Sequence, residues 1–152
     1  MLDLLDAVLA RATELTKDEL WDDPATTSGK RTLRTYRGSL PPKRSTNDQG
    51  HDHPFLVARI LNGGENTMQG RITVRLVGGL HTHDTVDDGL VDIDRLLTFL
   101  LQIPLVRDYL LYTMEEDVSW FFGDPKDGGQ PHPKYYVTVD LVFTRSPVVN
   151  NY

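Results

Sequence analysis

Four of the five histidines fall in two close pairs, His51-Asp52-His53 and His81-Thr82-His83-Asp84. Each pair sets two imidazoles at i and i+2, positions that project to one side of an extended chain, with a carboxylate beside them. Neutral imidazole and carboxylate suit zinc or a similar ion, so two ligands from each segment make a geometrically feasible site. The same residues have an ordinary explanation. His51 and His53 lie in a polar stretch bounded by Gly50 and Pro54, and His81 and His83 follow Gly78-Gly79 at the end of an apolar run. Exposed polar residues collect in such places without chemical purpose.

Other chemistry is harder to find. Glu115-Glu116-Asp117 offers paired carboxylates, but neighbours on a strand face opposite sides and no proton-transfer partner can be named, so a solvated turn is the expectation. Asp87-Asp88 reads as helix capping. Gly63-Gly64 and Gly78-Gly79 match neither the Walker nor the dinucleotide spacing, and no serine stands in a Gly-x-Ser-x-Gly setting. The chain has no cysteine, which removes disulfides, thiol nucleophiles and Cys-ligated metal. Neither catalytic residues nor a cofactor are expected.

A charged segment is the stronger functional candidate. Residues 30–44 carry six bases, Lys30, Arg31, Arg34, Arg37, Lys43 and Arg44, and no acid, whereas residues 84–127 carry eleven acids against Arg95, Arg107 and Lys126. Arg34-Thr35-Tyr36-Arg37 interleaves an aromatic with bases, a composition that suits nucleic acid. An acidic protein neighbour explains it equally well, and a formal net charge of -6 opposes indiscriminate DNA binding. Arg31, Arg34, Arg37, Lys43 and Arg44 are therefore the candidate interface residues. Opposite charge on two segments of one chain suits head-to-tail contact between copies.

The elements that must position these groups follow from periodicity. Leu2, Leu5, Val8, Leu9, Ala12 and Leu15 predict an amphipathic helix over residues 2–15. Residues 22–54, rich in proline and glycine, read as an extended loop or arm containing one strand over residues 31–40, with Leu33 toward a core and Arg34 away from it. Residues 55–61 and 71–80 form a hairpin around Asn62-Gly63-Gly64, with Gly78-Gly79 weakening the second strand or marking a bulge. A second helix follows Asp87-Asp88, with Leu90, Ile93, Leu96, Leu97, Leu100 and Leu101 as its buried stripe and Pro104 beyond its end. Residues 109–122 read as a strand region. The last strand is the clearest, with Tyr135, Val137, Val139, Leu141 and Phe143 on one face.

This order predicts an α+β fold, a mostly antiparallel sheet of four to five strands with two helices on one face. Its 152 residues, 39% apolar and 25% charged, suit a single domain over residues 1–152 with one real core. No apolar run approaches the roughly 18 to 20 residues that cross a bilayer, and Asp3 and Asp6 replace the basic start of a secretory leader. A cytoplasmic protein without membrane contact is the expectation.

Read in order, the segments resemble the small neck or tail-terminator proteins of long-tailed phages and prophages. The likeness rests on the N-terminal helix, the basic stretch with Leu40-Pro41-Pro42-Lys43-Arg44, and His53-Pro54-Phe55-Leu56-Val57-Ala58-Arg59. It continues through Ile72-Thr73-Val74-Arg75-Leu76-Val77-Gly78, Asp92-Ile93-Asp94-Arg95-Leu96-Leu97, Ile103-Pro104-Leu105-Val106 and an aromatic-rich ending near Pro147. His81-Thr82-His83-Asp84 departs from the variable polar loop expected there, as does the long arm before Pro54. The resemblance implies a structural protein without turnover, a homo-oligomeric ring, hexameric by that likeness, which caps the tail tube and joins it to the head. Its partners would be other copies, the tail-tube protein and the head-tail connector, with DNA at most passing through the lumen. It would reside in the virion neck, and in the host cytoplasm during assembly. The rival class is a small metal-binding enzyme or ligand-binding domain using His51, His53, His81 and His83.

Overall fold

The computed structural model describes residues 2–23, 29–39, 53–61, 71–82, 85–103, 112–123 and 132–145. The element order is α1 (Leu2–Thr16), β1 (Trp21–Asp22), β2 (Lys30–Arg31), β3 (Arg34–Arg37), β4 (Phe55–Leu61), β5 (Arg71–His81), α2 (Val86–Leu100), β6 (Tyr112–Phe122) and β7 (Lys134–Arg145). β1 and β2 make a small antiparallel pair, and the main sheet has the order β3-β4-β5-β7-β6. Within it β3 runs parallel to β4 and every other pairing is antiparallel. The fold is α+β, and its sheet is mostly antiparallel. No helix among the described residues is long and apolar enough to cross a membrane.

Alternation along the strands explains why the helices settle on one face. Leu56 and Ala58 of β4, Val74, Leu76 and Leu80 of β5, and Tyr135, Val137, Val139, Leu141 and Phe143 of β7 all turn toward the helices. They meet Leu4, Leu5, Val8, Leu9 and Ala12 of α1 and Ile93, Leu96, Leu97 and Leu100 of α2 in one continuous core. Helix α1 lies over β3 and β4, and α2 over β5 and β7. Val74, Leu76, Val139 and Leu141 thus share one core with Leu96, Leu97 and Leu100 of the second helix.

Several local expectations are corrected. Residues 31–40 do not form one strand: β2 ends at Arg31 and β3 starts at Arg34, with Leu33 between them packed against the core. The chain changes partner there, because Arg31 pairs with Trp21 in the small sheet while Arg34 pairs with Phe55 in the large one. Gly78 and Gly79 neither weaken nor bulge β5, whose register with β7 is continuous from Arg71 to His81. They are required by close packing, since a Cβ at Gly78 would come within 2.6 Å of the Leu96 side chain and one at Gly79 within 2.2 Å of the Phe55 ring. The turn at Asn62-Gly63-Gly64 lies outside the described residues.

Helix α2 is capped by Thr85 together with Asp88, one of the two aspartates expected there. Asp88 N–H donates to Thr85 Oγ1 at 3.3 Å and Thr85 N–H donates to the Asp88 carboxylate at 3.4 Å, a capping box. The buried stripe also differs from expectation. Leu90 is 45% exposed and Leu101 is exposed as well, whereas Gly89 is buried. The helix touches β7 at Gly89, where a Cβ would stand 2.2 Å from the Tyr135 ring. Leu90 lies about 100° further round the helix and so misses the sheet.

Arg95 ties the small sheet to α2. Its guanidinium lies 3.7 Å from the centre of the Trp21 ring, a cation–π contact that covers a buried indole. It also donates to the Leu20 carbonyl at 3.2 Å and approaches Glu19 and Asp92 at 3.7 and 3.5 Å.

Candidate assembly interface

The basic segment supplies one border of the main sheet. Arg34 and Arg37 begin and end β3, whose only sheet partner among the described residues is β4. Arg34 is exposed. Arg37 turns toward the helices, where its Nη1 lies 3.1 Å from both carboxylate oxygens of Asp6 on α1. Arg31 folds inward: its Nη2 donates to the His53 carbonyl and its Nε is 3.8 Å from Asp23. Lys30 approaches Asp22 at 3.8 Å. These ion pairs are within the subunit and partly exposed, so each contributes about 0–1 kcal/mol. Of the five predicted interface residues, Arg34 and Arg37 are both exposed, Arg37 with Asp6 as its partner, while Lys43 and Arg44 lie outside the described residues.

The other border is β6. It pairs with β7 from Tyr112 to Met114 and again from Val118 to Phe122, with a register shift between them. Three residues of β6, Glu115, Glu116 and Asp117, stand against Val142 alone on β7. The expected solvated turn at these acids is therefore a β-bulge inside a continuing strand. Bulges concentrate at sheet edges and bend the strand they interrupt. Beyond it the strand is aromatic and open to solvent: Trp120 is 47% exposed, Phe121 38% and Phe122 37%. Alternation puts Trp120 and Phe122 on the helix side, where their rings meet edge to face at 5.3 Å. They stay exposed because the helices centre on strands further in. Phe121 points to the opposite face, 5.8 Å from the Arg75 guanidinium.

On that opposite face Arg75 and Asp140 form a two-point ion pair across β5 and β7, at 2.8 Å from Nε and 2.9 Å from Nη2. Hydrogen bonding to the carboxylate raises the Arg75 pKa above its ordinary value, against the opposing effect of burial. The pair holds a charge in a half-buried surface and fixes the register of the two strands.

The predicted histidine constellation is brought together only in part. His53 is buried beside Phe55, Tyr136 and His81, with ring centroids 4.8, 5.8 and 6.3 Å away. One histidine of each pair therefore meets the other across β4 and β5, while His51 and His83 lie outside the described residues. Among the described residues no group of three or more histidine, aspartate or glutamate side chains is gathered to hold a metal ion. The fifth histidine has a structural partner that sequence reasoning missed. His132 Nδ1 is 2.7 Å from the Tyr135 hydroxyl, which donates to the Val86 carbonyl at 3.3 Å and anchors α2 to β7. Burial pushes the Tyr135 pKa above its ordinary value, which keeps the hydroxyl a donor.

The aromatic run Trp120-Phe121-Phe122 is legible in the sequence, but its exposure is not, since that depends on how far the helices reach. The signal that locates an edge was present in the three consecutive acids, which a strand in the middle of a sheet would not carry. Compared with known proteins, the chain matches no family model and no curated sequence.

Proposed function

We propose that the protein is a structural virion component, a tail terminator or head-tail joining protein, whose copies assemble into a ring that caps the tail tube and connects it to the head. The observation that carries this reading is the pair of unlike borders on one sheet: β3 bears bases and β6 bears acids and exposed aromatics. A heterologous contact between two different surfaces of one subunit generates a ring when its rotation closes. The resemblance in ordered sequence pieces supports the same reading: those among the described residues fall on α1, β4, β5, α2 and β7, while Leu40-Pro41-Pro42-Lys43-Arg44 and Pro104-Leu105-Val106 lie outside them. The partners are then other copies of the chain, the tail-tube protein and a head-tail connector, with DNA confined to the lumen. The place of action is the virion neck, reached from the host cytoplasm.

The test is native mass measurement and electron microscopy of the untagged protein, alone and mixed with tail-tube protein, together with metal analysis. Closed rings that bind one end of the tube are the expected result. A monomer that carries stoichiometric zinc through purification, with the metal lost when His53 and His81 are replaced by alanine, would favour the ligand-binding class instead.

A further inference from the structure

We propose that the face of the sheet opposite the helices binds the phosphate backbone of double-stranded DNA through Arg34, Arg59 and Lys134, and that it therefore lines the lumen of the ring. The lumen rests on the assembly reading above, whereas the DNA-binding face belongs to the subunit itself. Strand register places the three residues on that face. Ala58 and Tyr135 turn toward the helices, so their neighbours Arg59 and Lys134 turn away from them. Arg34 pairs with Phe55, which shares the face of Arg59. Arg34 is exposed, and Arg59 and Lys134 are partly exposed.

Charge is divided between the two sides of the subunit. On the helix side α2 carries Asp87, Asp88, Asp92 and Asp94 against Arg95, and Arg37 is held by Asp6. On the other face β3, β4, β5 and β7 present one acid, Asp140, which Arg75 engages at 2.8 and 2.9 Å. Arg59 stands directly across from Arg75 in the register of β4 with β5. Like charges opposite each other weaken a sheet, and Asp140 serves only one of the two, for Arg59 Nε is buried without a hydrogen-bond partner. Arg34 and Lys134 meet no acid among the described residues either. Three cations are thus left uncompensated on one face of a chain whose formal net charge is -6.

Spacing selects the partner. With about 3.4 Å of rise per residue and about 4.8 Å between strands, the Cα positions of Arg34, Arg59 and Lys134 lie roughly 14 Å or more apart. No single carboxylate or small anion reaches all three. A duplex, with one charge for about every 1.7 Å of its axis, meets them together. The aspartates of α2 would repel the same phosphates, so a ring closed round DNA turns its sheet inward and its helices outward.

The test is the binding of a labelled duplex of about 30 base pairs to the full-length protein, followed by fluorescence anisotropy between about 50 and 200 mM salt. Three phosphate contacts predict that log affinity falls against log salt with a slope of about -2.7 per bound subunit. Arg59→Gln with Lys134→Gln should reduce the steepness of that slope by about 2, and Arg34→Gln alone by about 1. Thermal melting confirms that each variant folds, and the exposed Arg34 position carries the test if the pair does not. Arg11→Gln with Lys17→Gln, on α1 and just beyond its end, changes the net charge by as much as the first pair and should leave the slope as it is. An equal loss of slope in these controls, or no duplex binding at the lowest salt, overturns the proposal. Variants of the sheet face that weaken self-association while DNA stays unbound overturn it in favour of an acidic surface on a second copy. Rings seen by electron microscopy with helices lining the lumen overturn the inward placement of the sheet. Rings that leave DNA unbound end this inference and keep the assembly reading, whereas a monomer that binds DNA through these three residues keeps the DNA-binding face and ends the assembly reading.

Discussion

Asp92 shows how a single side chain can work against the fold it belongs to. It lies on α2 beside Arg95, yet burial raises its pKa above the ordinary 3.8, because desolvation outweighs the attraction of the guanidinium. The folded state therefore holds this proton more tightly than the unfolded chain does. Its contribution to stability is fully present below the ordinary aspartate value and is lost as pH rises through the raised folded value. Asp92→Asn should accordingly melt higher than the parent at neutral pH, with the gain disappearing in acid. Arg95 keeps Glu19 and the Leu20 carbonyl in that variant. A lower melting temperature at neutral pH would mean that the ion pair outweighs desolvation. None of this balance was legible in sequence, where Asp92 reads as one more acid in the first half of a helix.

At the scale of elements, the second helix is the piece whose packing decides whether the sheet has a covered face. Leu97 is buried between α2 and the sheet, in the same core as Val74, Leu76, Val139 and Leu141. Truncation removes its apolar contacts and leaves a cavity that a helix held on a sheet closes only in part. Leu97→Ala should cost about 2–5 kcal/mol, measured by denaturant unfolding. A change under about 1 kcal/mol would show that the helix relaxes onto the sheet, since relaxation is what lowers such costs. The position of this helix was readable from its apolar spacing, but its rotation was not. Gly89 fits under the Tyr135 ring and draws that line of the helix to β7, which leaves Leu90 in solvent although its spacing suits the stripe. The last strand needed no such correction, because a period of two, sustained from Tyr135 to Phe143, has only one way to face a core.

For the whole molecule, the layout of charge matters more than its sum. The formal net charge is -6, yet Lys30, Arg31 and Arg37 are largely matched by Asp22, Asp23 and Asp6 of the same chain. What remains for a partner is a short basic border and a longer acidic one at opposite sides of the sheet. Charges at the rim of a contact chiefly accelerate encounter, whereas apolar packing sets how long it lasts. Raising ionic strength from about 0.01 to 0.1 M shortens the screening length from roughly 30 to 10 Å. Self-association followed by light scattering should therefore slow as salt is raised over this range, with little change in the rate of dissociation. Salt-indifferent association would place the driving force in apolar packing alone and deprive the charged borders of a role in encounter.

Sequence by itself determined the parts of this protein that depend on local pattern: both helices, the β4 and β5 hairpin pairing, the inward face of β7 and the α+β class. Helical spacing of leucines and strict alternation of valines each match one backbone geometry, so neighbours in sequence suffice to read them. It also located the basic and acidic segments. Tertiary structure decided where those segments lie in the sheet, because strand order depends on which apolar faces meet across long stretches of chain. It split residues 31–40 between two sheets, turned three acids from a turn into an edge bulge, and brought His53 beside His81. Above all it decided that Arg31 and Arg37 face acids of their own subunit while Arg34 faces outward. For Arg34 and Arg37 that distinction comes from the alternation of β3 and the placement of α1 beside it, for Arg31 from its place in the small sheet, and spacing along the chain does not contain it.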